Sequence, residues 1–194
     1  MPDENKVQFN LKNVHYAVLT DADAMTYSEP VSVPGAVNLN LDPQSELSKF
    51  HADGMVYYQA VANNGYSGDL EMARFIDQMM KDVWGFQEST DKVLVERGDV
   101  EAKAFALLFQ IDGDADGELY ALFNCSGTKP KIAAATNTET KTPQTQTSTI
   151  SAVPLPNGYI MARTTKDTAA ETKSNWFKAV HKPTFGTAAA AQEE

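Results

Sequence analysis

The chain has 194 residues, enough for one domain that would bury roughly 70% of the surface its unfolded form exposes. Its 16 Lys and Arg stand against 26 Asp and Glu, a formal charge of -10 with a pI near 4.7, which excludes a protein that grips nucleic acid through its phosphates. The one cysteine, Cys125, excludes an internal disulfide and a cysteine-rich zinc site and fits a reducing compartment.

The opening MPDENKVQFNLKN is polar, and no apolar run approaches the ~20 residues of a membrane span, so a soluble protein made in the cytoplasm is expected. From Val14 to Gly65 the text alternates strand and turn: VHYAVL, SVPGAVNLNLDP and GMVYYQAVANNGY, broken at Pro34-Gly35, Asp42-Pro43 and Asn63-Asn64-Gly65. In AVNLNL the residues Val37, Leu39 and Leu41 alternate with Asn38 and Asn40, which predicts a strand with one buried face. The segment from Asp42 to Gly54 reads as a long polar loop between two strands.

In EMARFIDQMMKDVWG the residues Met72, Phe75, Ile76, Met79, Met80, Val83 and Trp84 recur at spacings of three and four, which predicts one amphipathic helix near residues 73 to 84, closed by Gly85 and packed on the sheet. GDLEMARF also alternates, so it reads equally as a strand that turns into helix near Ile76.

After the acidic connector STDKVLVERGDVE come AKAFALLFQI and ELYALFNCS, separated by DGDADG. Phe105, Leu107, Phe109 and Ile111 share one face and Ala104, Ala106 and Leu108 the other, so these are central strands, apolar on both faces. Residues 136 to 153 are rich in Thr, with Thr145, Thr147 and Thr149 alternating with Gln146, Ser148 and Ile150, a strand with little to bury. LPNG turns the chain into YIMARTT as a further hairpin, NWFKAVHKP follows, and residues 186 to 194 are expected to be a disordered tail. The expected fold is mainly β (α+β): a β-sandwich of eight or more strands with one flanking helix, one domain over residues 1 to 185 with an N-terminal arm at 1 to 10.

Chemistry is sparse. Asp112, Asp114, Asp116 and Gly117 begin a loop as an EF-hand does, but the position that needs a bidentate Glu is Phe123, and strands flank the loop where helices are required. A solvated turn is the simpler reading, with a cation shared between subunits the remaining metal version. His15, His51 and His181 lie far apart, no G-x-S-x-G elbow occurs, Cys125 sits within an apolar strand, and neither phosphate-binding glycine pattern is present. No enzyme and no cofactor is expected.

At GAVNLNLDPQSELSKFHADGMVYYQAVANNGYSGDLEMARF and MKDVWG the chain resembles the major tail proteins, or tail tube proteins, of long-tailed phages of Gram-positive bacteria. NKVQFNLKNVHYA, FALLFQIDGD, LYALFNCSGTKP and TPQTQTSTISAVPLPNG continue the resemblance in the same order, so that it covers roughly residues 5 to 182. What the resemblance implies is a structural protein of the virion tail, assembled in the host cytoplasm as stacked hexameric rings. Strands of six subunits would join in a barrel lining the lumen. The implied partners are the protein itself, the tape measure protein, and the tail terminator and distal tail proteins, with DNA passing through without specific binding and no membrane involved.

Within that frame the lumen wall is expected on strands around residues 31 to 41 and 144 to 153, whose polar positions include Asn38, Asn40, Gln144 and Gln146. Contact with the next ring is expected from the 42 to 54 loop, with Gln44, Glu46, Lys49 and His51, or else from the connector Gln87 to Glu101. Two other readings compete: an adhesion or carbohydrate-binding β-sandwich that stacks sugars on Tyr57, Tyr58 or Tyr66, and a metal-dependent hydrolase built on the Asp loop.

Overall fold

A computed structural model describes residues 5–136 and 143–185. The tail expected at 186 to 194 and the first four residues of the N-terminal arm lie outside the described residues. The strands are β1 (Gln8–Asp21), β2 (Thr26–Tyr27), β3 (Val31–Ser32), β4 (Ala36–Ala52), β5 (Met55–Met72), β6 (Gln87–Glu88), β7 (Leu94–Val95), β8 (Phe105–Gly113), β9 (Glu118–Gly127), β10 (Gln146–Ala152) and β11 (Met161–Arg163). Two short helices accompany them, α1 (Asp77–Asp82) and α2 (Ala170–Asn175).

Nine strands form one antiparallel sheet in the order β2-β1-β8-β9-β10-β5-β4, with β3 beside β1 and β11 beside β9. The mainly β expectation holds, but in place of two stacked sheets there is a single large one. It curls: β1 and β4 are not hydrogen-bonded neighbours, yet their backbones come within 8 Å. The concave face holds the main core, where Tyr16, Phe105, Leu107, Leu122, Ile150, Leu70 and Met72 meet Phe75, Met79, Val83 and Trp84 from the α1 region. Trp84 is anchored by its indole N–H, which donates to the Gly127 carbonyl at 2.9 Å, and Tyr16 by its hydroxyl, which donates to Asp82 at 2.7 Å.

β8 and β9 are central, as their two apolar faces predict. Their other face, with Ala106, Leu108, Ala121 and Phe123, is covered by Leu155, Trp176 and Val180 from the C-terminal part of the chain. Both strands are therefore sandwiched between two apolar clusters, and the polar hairpin tip between them is the only wet part.

The helix is shorter than expected. β5 runs to Met72, Ile76 is the N-cap, and α1 ends at Asp82, so the alternating reading of GDLEMARF describes the chain better than a helix from 73. The cause is pairing: Met72 lies opposite Gln146 of β10, and the Gln146 side chain accepts a hydrogen bond from the Phe75 backbone N–H at 2.8 Å, holding the chain extended to that point. The second helix, AETKSN, has no buried residue and thus no apolar stripe for the sequence to reveal. LPNG does turn the chain, with Gly158 at φ 84°, but β10 and β11 pair with different stretches of β9 instead of with each other.

The largest correction concerns residues 42 to 54. They form no loop: β4 and β5 are a single hairpin of 17 and 18 residues, closed by Asp53 and Gly54 in left-handed conformation. Asp42-Pro43 and Asn63-Asn64-Gly65 interrupt it without ending it. Pairing shifts between Pro43 and Ser45, and Gly65 adopts φ 95° with its N–H held by the Asn63 side chain. Pro43 is tolerated because β4 is the sheet's edge strand. These breakers mark where the hairpin leaves the body.

Candidate functional site

The outer face of β10, β5 and β4 has no cover. Strand alternation brings nine side chains onto it: Thr147, Thr149 and Ser151 from β10, Ser67, Asp69 and Glu71 from β5, and Asn38, Asn40 and Asp42 from β4. Register sets them in rows, with Asp69 between Thr149 and Asn40, and Glu71 between Thr147 and Asn38. The Thr149 hydroxyl donates to Asp69 at 2.8 Å and the Thr145 hydroxyl donates to Glu71 at 2.5 Å, which keeps both carboxylates against the sheet. No Lys or Arg is among the nine, so the face is acidic and neutral polar throughout. Close strand spacing depends on Gly68, where a Cβ would sit 1.8 Å from the Asn40 carbonyl oxygen.

Beyond Pro43 and Gly65 the same hairpin projects as an arm about 30 Å long. Every residue from Pro43 to Asn64 is exposed except the half-buried Ala52 and Ala60. The arm is nevertheless rich in apolar groups: Tyr57 is 73% exposed, Met55 64%, Tyr58 63% and Phe50 59%. Phe50 faces Tyr58 across the strands on one side, and Leu47 faces Val61 on the other. Gln44, Glu46, Lys49 and His51 all lie on this arm, exposed, with Gln44 donating back to the Asp42 carbonyl at 3.3 Å.

The Asp loop is filled by the protein itself. Asp112 pairs with Lys12 at 2.8 Å and accepts from Asn10 and Gln110, Asp114 accepts the Lys6 backbone N–H at 2.8 Å, and Asp116 binds Lys173. Inside the loop sits Asn5, whose side-chain oxygen accepts from the Ala115 and Asp116 N–H groups. The lysine Lys12, with Asn10 assisting, holds Asp112 below the ordinary carboxylate range, and Lys173 does the same for Asp116. Three carboxylates thus turn to three different partners, and among the described residues no cluster of His, Cys, Asp or Glu has metal-binding proximity.

The other sequence-derived candidates scatter. Asn38 and Asn40 are exposed on the polar face as expected. Gln146 belongs to the inward-facing set and caps Phe75, and Gln144 is exposed just before β10. His15 stacks on Phe177 and His181 on Trp176, while His51 is on the arm. Cys125 is fully buried, and that burial pushes its thiol up to about 12. Tyr66 is half-buried against the core, and Tyr57 and Tyr58, adjacent in a strand, point to opposite sides of the arm.

Sequence reasoning missed Asp69 and Glu71, the charged centre of the polar face, because their segment was assigned to the approach to a helix. The alternation Ser67, Asp69, Glu71 against Leu70 and Met72 was the signal that could have found them. No protein-family model matches the chain, and no curated protein matches it.

Proposed function

We propose that this chain is the subunit of a phage tail tube, polymerising as stacked hexameric rings around a tape measure protein into the conduit for DNA ejection. The observation that carries the reading is the uncovered β10-β5-β4 face, nine side chains wide and without a cation. A wall along which DNA slides must not bind phosphate, and Asp69, Glu71 and Asp42 among hydroxyls and amides repel it weakly along the whole face. β4 bounds that face as an edge strand, and pairing with a neighbouring subunit in a closed ring leaves no strand edge exposed.

The arm supports the same reading. A two-stranded ribbon with apolar groups on both sides gains little stability alone and gains it on meeting a second surface. In a stack of rings that surface belongs to the next ring. The sugar-binding alternative lacks a shared platform, since Tyr57 and Tyr58 diverge and Tyr66 packs on the core. Negative-stain microscopy of the purified, concentrated protein tests the proposal. Rings or tubes are expected, and uniform single subunits under all assembly conditions would reject it.

A further inference from the structure

Resting on the tube reading, we infer that the tip of the arm seats in a specific cleft of a second copy, the apolar hollow formed by Pro34, Ala73 and Ile76 and rimmed by Arg74 and Asp77. This hollow has a volume of about 360 Å³ and lies where β4 begins and β5 ends, since Ala36 pairs with Met72. The tip, at Asp53 and Gly54, is at the other end of the same two strands, about 50 Å away for the 17 residues of β4. An arm therefore cannot fold back into its own cleft, and knob and hollow face opposite directions along one axis.

That polarity determines the kind of contact. Two arms meeting each other would make a closed pair, whereas an arm in the cleft of the next copy is heterologous and repeats without limit, as a tube requires. The size of the arm's surface is adequate. Leu47, Phe50, Met55, Tyr57, Tyr58 and Val61 together expose on the order of 800 Å², about what one partner contributes to a stable interface. The hollow offers the complementary chemistry, since an aromatic ring fits between a proline, an alanine and an isoleucine, and Arg74 with Asp77 supplies a polar rim.

Disulfide trapping tests the inference cleanly, because Cys125 is the only native cysteine and is fully buried. Phe50→Cys, Tyr57→Cys and Tyr58→Cys are each combined with Ala73→Cys and oxidised mildly. At least one double variant is expected to give a ladder of dimers, trimers and longer species on a non-reducing gel, while a mixture of the corresponding single variants stops at dimer. Ladders from none of the three, or dimers from an arm cysteine alone at equal yield, would overturn the head-to-tail seat. Ala73→Glu, at an exposed site, is expected to abolish sedimentable polymer with the urea midpoint unchanged, and persistence of polymer would exclude this cleft as the seat. If the unsubstituted protein forms no tube, the tube reading fails by itself, and the ladder still reports whether the arm meets the cleft.

Discussion

The side-chain amide of Asn5 is enclosed by the turn around Asp116: its nitrogen donates to the Asp116 carbonyl at 2.8 Å, and its oxygen accepts from the Asp116 N–H at 3.0 Å. One asparagine from the N-terminal arm thus satisfies the backbone of a loop more than a hundred positions away in sequence. It occupies the space at Gly113, where a Cβ would come within 2.2 Å of the amide.

Replacing Asn5 by Ala removes these bonds together. The expected cost is roughly 1 kcal/mol, since the site is largely exposed and water takes up the freed groups. Amide hydrogen exchange at residues 5 to 8 and 113 to 117 is expected to speed up jointly, with β8 and β9 centres unchanged. Unaltered exchange in the loop would show that the arm does not hold it.

Acid is expected to loosen the same corner before the core. Asp112, held low chiefly by Lys12, and Asp116, held low chiefly by Lys173, have folded pKa values beneath their unfolded value of about 3.9. Their contribution is complete above that unfolded value and is lost as pH falls through the folded one. Urea midpoints followed from about pH 6 to about pH 3 are expected to fall more for the native protein than for a Lys12→Ala, Lys173→Ala double variant. Parallel curves would contradict the assignment. The effect is small, because these carboxylates are well solvated.

Gly68→Ala is expected to destabilise by at least about 2 kcal/mol, because the methyl group would overlap the Asn40 carbonyl and force β4 and β5 apart. Denaturant unfolding measures the loss. Gly98→Ala, where a Cβ meets nothing within 4 Å, is the control and is expected to leave stability nearly unchanged.

Charge reversal on the polar face is expected to change what the assembled protein does to DNA. The double variant Asp69→Lys, Glu71→Lys places two cations on each subunit's outer face, and its polymer is expected to retain double-stranded DNA at low salt in a filter assay, where the native polymer does not. Equal, negligible retention by both polymers would show that this face does not meet the DNA.

Much of the strand content was legible because burial imposes a period of two. Phe105, Leu107 and Phe109 against Ala106 and Leu108 announced a strand apolar on both sides, and Leu39 and Leu41 against Asn38 and Asn40 announced one with a wet face. The α1 region misled because Met72, Phe75 and Met79 all face the core at near-helical spacing, although the first belongs to a strand and the second to the turn that follows it. The arm was hidden for a different reason. Proline, asparagine and glycine have the same local chemistry at a loop boundary and at a kink within a long hairpin, and only pairing between Ser45 and Asn63, or Leu47 and Val61, separates the two. Asn5 carried no local signal, since its partners are supplied by a loop distant in sequence.

The central claim is that the β10-β5-β4 face lines a channel. A cryo-microscopy reconstruction of the polymer formed by the purified protein tests it most directly. The account predicts a hollow tube of sixfold rings with Asn40, Asp69, Glu71 and Thr149 facing the lumen. A tube whose lumen is lined by another surface, with these four residues on the outside, would contradict it.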